Sequence, residues 1–280
     1  MKTKCIAVFL SFVTDGNRTL REDLFNECFP SFERIKLENK DLDLSLVAVD
    51  NMSVNSVRER TNKSNILDLF YLLDKNMFDT ALFCAGLDAA EISGAEYALF
   101  TYDDFLVHRP SALSDVIQFM KSSGADCCRI TDYDVSDSRR FNSDITPKSV
   151  NPDAIRHLNT ATGQKVEHTF FGKFGQSEFY FTNWHYTSRP CVWKISKLRE
   201  VMSKTDNLKV LQGFEGFMVK ACQDSGVLFA TLDKGMMRTF SVQLSARTSP
   251  DFVKRVDEAN HVVHQTDMKE TLVRCRSIRA

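Results

Sequence analysis

The sequence predicts an α/β protein built on a central, mostly parallel sheet flanked by helices. Apolar runs of strand length, KCIAVFLSFV at 4–13, LSLVAVD ending at Asp50 and AEYALF at 95–100, alternate with segments whose apolar residues recur at helical spacing. The runs lack the in-out alternation of a half-exposed strand, as expected when helices cover both faces of a parallel sheet. Gly94, Gly124 and Gly226 stand where helices should stop, and Pro110 with Ser111 where one should start.

The first apolar run leads into the polar turn TDGNR and then a helix through LREDLFNECFPSFERI. The second strand ends in the carboxylate of Asp50 and is followed by NMSVNS. Two helices are expected next, over 64–75 (SNILDLFYLLDK, with Ser64 as N-cap) and over 78–93, and then a strand that runs into Asp103 and Asp104. A helix over SALSDVIQFMKSS precedes the strand-like DCCRI. Residues 131–164 are polar and aperiodic, and read as a long functional loop in which Arg139 and Arg140 suit a diphosphate. Beyond it come the aromatic segment HTFFGKFGQSEFYF, the cluster WHYTSRPCVW, helices through KLREVM and from about Glu215 to Asp224, the strand VLFATL, and a last amphipathic helix opened by Ser249 and Pro250.

Composition narrows the function. The 280 residues are 43% hydrophobic and 26% charged, enough for a full core. Lys and Arg number 36 against 37 Asp and Glu, so no overall field draws the chain to nucleic acid. Residues 1–125 hold 13 basic and 19 acidic side chains, whereas 126–280 hold 23 and 18. The eight cysteines form no C-x-x-C pair and sit largely in apolar runs, as free thiols of a reducing compartment do. No run of about 18 apolar residues predicts a membrane span. The expected location is the cytoplasm, with at most a peripheral membrane contact through the basic TLVRCRSIRA. No G-x-G-x-x-G follows the first strand and no G-x-S-x-G occurs, which disfavours nicotinamide enzymes and serine hydrolases.

Three successive strand ends carry polar or acidic groups, and in open α/β sheets the carboxyl ends of the strands form the ligand crevice. Adjacent aspartates on extended backbone point to opposite sides, so Asp103 and Asp104 divide their work. Hard carboxylate oxygens suit Mg²⁺ or Mn²⁺ beside a pyrophosphate. Read alone, D-D after a strand is equally a turn.

The order of these pieces resembles the nucleotide-sugar glycosyltransferases of the GT-A fold, family 2 type. The likeness covers residues 4–125 well and 180–225 loosely. It implies a T-x-N-R-like donor loop at Thr14, Asn17 and Arg18, a nucleobase contact at Asp50 in VAVDNMS, and a helix motif at Asn76 that NMFDTALFCAGLDAA follows in outline. It also implies a D-x-D-like motif in YALFTYDDF, with Asp103 on the donor and metal and Asp104 on the metal. Tyr102 stands where the related subgroup often has an acid, and Phe78 where the helix motif has glycine. The family's late histidine ligand has no counterpart between His185 and His261; His261 and His264 fall in the last helix.

The resemblance further implies a general base at a helix start in the acceptor half. Glu215, between Gly213 and Gly216 at a predicted helix N-terminus, fits that place, and the helix dipole favours a carboxylate there. His185 is the second choice. Trp184, Tyr186, Arg189 and Trp193 read as acceptor-binding residues, with aromatic faces suited to a sugar ring, although core packing equally explains at least one of the two Trp residues. The expectation is one domain, with 1–125 the nucleotide-sugar half and 126–280 the acceptor half including loop 131–164. Its activity would be divalent-cation-supported, inverting transfer from a nucleoside-diphosphate sugar to a hydroxyl of a glycan or glycoconjugate. The alternatives are a non-catalytic nucleotide or carbohydrate binder of the same fold and, ranked lower, a sugar-phosphate nucleotidyltransferase, because DGNRTL faintly resembles that class's G-G-x-G-T-R-L loop without its paired glycines.

Overall fold

A computed structural model describes residues 2–14, 18–73, 77–131, 154–159, 164–184, 186, 188–204 and 214–239. Its first strand, β1 (Lys4–Ser11), is buried on both faces beyond Lys4, as its unbroken apolar run requires. The helix α1 (Arg18–Glu38) returns along the sheet, and β2 (Asp43–Asn51) pairs parallel with β1, setting Ser11 beside Asp50. Next come α2 (Asn55–Asn62), β3 (Leu69–Leu73), α3 (Phe78–Ser93), β4 (Tyr97–Tyr102) and the short β5 (Phe105–Val107).

The helix expected over 64–75 is therefore not formed. The apolar run LFYLL is instead β3, paired parallel with Val47–Asn51, and the helical turns lie earlier, over NSVRERTN. Pairing at the sheet edge overrides a pattern that fits either element. By contrast α3 has the expected bounds and closes on Gly94 at φ 69°, and α4 (Ala112–Ser123) closes on Gly124 at φ 75°. Both are left-handed terminators that a side chain would strain.

The second half adds β6 (Cys127–Arg129), β7 (Ala154–Asn159), β8 (Gln164–Phe174), β9 (Ser177–Thr182), β10 (Cys191–Lys194), α5 (Ile195–Lys204), α6 (Phe214–Asp224), β11 (Phe229–Leu232) and β12 (Met237–Thr239). The loop expected over 131–164 is thus in part a strand, because β7 pairs antiparallel with β8. Its arginines Arg139 and Arg140 lie outside the described residues, as do the last helix with His261 and His264, and the basic tail.

One ten-stranded sheet runs through both halves in the order β3-β2-β1-β4-β10-β6-β11-β9-β8-β7, and β12 pairs with β5 in a small separate sheet. Strands β1, β2, β3, β4, β6, β8 and β11 run one way, and β10, β9 and β7 the other. Alternate strand residues feed two cores. Ala7, Phe9, Leu46, Ala48 and Leu99 pack with Phe25, Phe29 and Phe32 of α1 and the apolar face of α4. On the other face Ile6, Val8, Val47, Val49 and Phe100 pack with α3, α5 and α6. No helix among the described residues is long and apolar enough to cross a membrane.

Candidate functional site

Parallel register brings the carboxyl ends of β1, β2 and β4 to one edge, with Ser11 level with Asp50 and Leu10 level with Tyr102. The loops after β1 and β2 are tied together there. Ser53 Oγ accepts the Val13 N–H at 3.1 Å, and the Val54 N–H donates to the Val13 carbonyl at 2.7 Å. Asn51 Oδ1 accepts the Met77 N–H at 2.7 Å, which fixes the start of α3 against the end of β2. Met52, between them, takes φ 68°, a left-handed turn adopted by a residue other than glycine.

Asp50 is fully buried. Its carboxylate accepts the Ser53 N–H at 3.1 and 3.2 Å and the Arg58 Nε–H at 2.9 Å. Burial pushes the Asp50 carboxyl above the usual range, and Arg58 and Ser53 oppose that shift. Arg58, a third exposed, thus rises from α2 over the position the resemblance gives to the nucleobase.

Asp103 and Asp104 lie in the turn between β4 and β5, not on extended backbone, so both reach one arginine instead of dividing to opposite sides. Asp103 faces α1: Oδ1 accepts Arg21 Nη1 at 2.7 Å, and Oδ2 accepts the Phe12 N–H at 2.9 Å. Asp104 Oδ2 lies 3.6 Å from the same Arg21 nitrogen. Burial works against the Arg21 cation, and Asp103 and Asp104 outweigh it, holding its pKa above the ordinary value. The residues present do not fit a divalent ion at this pair. Both Asp103 oxygens are engaged, a guanidinium stands at the cation position, and among the described residues no group of three His, Cys, Asp or Glu could hold a metal.

On the α3 and α6 side stands a residue that sequence reasoning missed. Asp79, in the first turn of α3, has Asp104 and Glu215 as electrostatic neighbours. Burial raises its carboxyl above the usual range, while the Ser188 and Tyr102 hydroxyls favour its ionised form. Glu215 lies in the first turn of α6, exposed, with Oε1 accepting the Ser188 N–H at 2.9 Å. Arg21 and Asp79 carry no motif. Their only signal is a charged residue in the first turn of a helix that follows a strand end.

The acceptor aromatics are placed differently from expectation. Trp193 is fully buried on β10, between β4 and β6, with Phe229 edge-on at 6.1 Å. Tyr186 is buried against Phe83 and Trp193. Trp184 lies under Arg129, whose guanidinium sits 5.0 Å from its ring and donates to its carbonyl at 3.0 Å. The central strand β10 carries Trp193 into the core, and Trp184 and Tyr186 pack into it from the segment before that strand, so all three rings are buried. Arg189 is half-buried and Thr14 partly buried at the end of the β1 segment. Arg18 opens α1, while Asn17, Asn76 and His185 lie outside the described residues.

No protein-family model and no curated protein matches the chain. Solved structures do. Residues 1–349 of S. aureus TarS in complex with UDP-GlcNAc superpose with a TM-score of 0.51 at 16% identity, covering 97% of this chain and 69% of that one. The complex of the same protein with UDP gives 0.50 at 15% identity, covering 97% and 68%. The fold is of the GT-A type. This chain spans 41% of the longer TarS structure, at the same TM-score of 0.50. In the GT-A frame, the edge that gathers Asp50, Asp103 and Asp104 is the carboxyl edge of the parallel strands, where open α/β sheets bind ligands.

Proposed function

We propose that the protein transfers a sugar from a nucleoside-diphosphate donor to a hydroxyl of a glycan or glycoconjugate. The observation that supports this most is the pairing of two groups across one strand edge, the Asp50 and Asp103/Asp104 strand ends on one side and an exposed carboxylate, Glu215, on the other. TarS, the GT-A protein above, is bound to UDP and to UDP-GlcNAc, which supports a nucleotide-sugar donor.

In this reading the transfer is one in-line displacement with inversion. The acceptor oxygen forms its bond to the anomeric carbon as the bond to the diphosphate oxygen breaks, and the diphosphate leaves with the electron pair. Glu215 takes the acceptor proton: the Ser188 N–H holds Oε1, which leaves Oε2 for the hydroxyl. Asp79 bounds the same space from α3.

Transfer should fall at least about a hundredfold in Glu215→Gln, the usual scale of general-base catalysis, with nucleotide binding unchanged. Wild-type rates in that variant would remove Glu215 from the mechanism. One observation favours the non-catalytic binder: Asp50 and Asp103 already have their carboxylates satisfied by Arg58 and Arg21. Stabilisation by a nucleotide sugar without turnover on a broad acceptor panel would select it. Stabilisation by nucleoside triphosphates instead of diphosphates would select the nucleotidyltransferase.

A further inference from the structure

We propose that Arg21 is the built-in cation of the aspartate pair, standing where a divalent ion would bridge Asp103 and Asp104, so that a nucleoside diphosphate binds this site without metal. The statement about the ion stands on geometry alone; the statement about the diphosphate rests on the donor reading above.

One nitrogen serves both carboxylates, Arg21 Nη1 at 2.7 Å from Asp103 Oδ1 and 3.6 Å from Asp104 Oδ2. An ion held by those two oxygens at about 2.0–2.1 Å, the reach of Mg²⁺, would lie close to that nitrogen and face its charge. Asp103 is not free to turn away, because its other oxygen accepts the Phe12 N–H that fixes the end of the β1 segment. Nor is Arg21 a loosely held surface group. It projects from the first turn of α1, and its side chain is 12% exposed. A guanidinium is weakly hydrated and keeps its charge when desolvated, which an ammonium does less well. Its Nε and Nη2 have no partner among the described residues, and a planar fork of that kind matches phosphate oxygens.

The ion is tested without any nucleotide. Free Mn²⁺ is followed by its electron paramagnetic resonance signal during titration of wild type, Arg21→Gln and Arg21→Gln with Asp104→Asn. Wild type should leave Mn²⁺ free into the millimolar range. Arg21→Gln, which vacates the position between two carboxylates, should bind it about tenfold more tightly or better, and the added Asp104→Asn should abolish the gain. One-to-one micromolar binding by wild type that is lost in Asp104→Asn would overturn the proposal, and this comparison decides the matter even if Arg21→Gln does not fold. The diphosphate is tested by melting wild type with UDP or GDP, in EDTA and in Mn²⁺. Equal stabilisation in both media is expected, and a shift seen only with Mn²⁺ overturns metal independence. No shift with any nucleotide refutes the donor reading and the diphosphate half with it, while the titration separately decides the ion half.

Discussion

Replacing Asp103 by asparagine probes the joint between β1, β4 and α1. The carboxylate receives two donors on two oxygens, Arg21 Nη1 at 2.7 Å and the Phe12 N–H at 2.9 Å, with 5% of its side chain and 12% of that of Arg21 exposed. Asparagine offers one acceptor and turns its NH₂ toward whichever donor it abandons, so either Arg21 is left with only its 3.6 Å contact to Asp104 or the Phe12 N–H loses its partner. Orphaning a buried N–H costs about 1–3 kcal/mol, and weakening the Arg21 pair while Asp104 remains costs less than the roughly 3–5 kcal/mol of an uncompensated buried charge. For a chain of this size, where 1 kcal/mol moves Tm by about 2–4 °C, a loss of about 1–3 kcal/mol lowers the melting point by about 2–12 °C. Calorimetry or circular dichroism reads that directly. Arg21→Met combined with Asp103→Leu removes both charges, and should cost less than the sum of the two single changes by about 0.5–3 kcal/mol. Additive costs, or an Asp103→Asn variant that melts with the wild type, would refute the reasoning.

Two further predictions concern packing and titration. A Cβ on Gly86 of α3 would come 2.4 Å from Cε1 and 2.8 Å from Cζ of Phe100, so Gly86→Ala should destabilise by about 1–3 kcal/mol despite its better helix propensity; urea midpoints no lower than wild type would contradict this. Burial raises the Asp79 carboxyl, so the stability it adds relative to an unperturbed acid is full below the ordinary carboxylate range and is lost as pH rises through the raised value. Asp79→Asn should remove that fall and gain on wild type from acid toward neutral pH; parallel stability profiles would show that Asp79 does not titrate as described.

The parallel half of the fold was legible because its strands are buried on both faces and its helices end on glycines whose positive φ leaves few alternatives, as at Gly94 and Gly124. Local pattern failed where a distant partner decides the element. LFYLL reads as helix or strand until β2 offers it a parallel edge, and the polar Ala154–Asn159 is a strand because β8 lies beside it. The same limit governs the site. Asp50 could be placed from sequence at the end of its strand, whereas Asp103 and Asp104 fall in the turn after β4, and the arginine partners of Asp50 and Asp103 come from helices. Nothing in LREDLF marks Arg21 for Asp103, as its meaning depends on how α1 lies across the ends of β1 and β4. Trp193 shows a related limit: WHYTSRPCVW suits a sugar ring or a core equally, and the choice falls to the core because its last residues insert between β4 and β6 and carry the indole inward.

A single device recurs at the strand edge and sorts the crevice by charge. After β2, the next helix returns Arg58 to Asp50; after β1, α1 returns Arg21 to Asp103. Both pairs lie on the face of the sheet that α1 and α2 cover, since Asp50 continues the side of Leu46 and Ala48, and Asp103 that of Leu99 and Thr101. The carboxylates without such an arginine, Asp79 and Glu215, belong to α3 and α6 on the other face. The first wall therefore holds Arg21 and Arg58 against Asp50, Asp103 and Asp104, and the second presents the acids Asp79 and Glu215 without an arginine. In the transfer proposed above, a leaving diphosphate would be stabilised against the first, and a hydroxyl deprotonated from the second. Charge reversal tests that polarity. Arg58→Glu should weaken binding of UDP or GDP and leave turnover at saturating donor within a few-fold, whereas Glu215→Gln should lower turnover about a hundredfold or more and leave nucleotide affinity intact. Exchange of these two phenotypes would place the donor on the acidic wall and reverse the assignment.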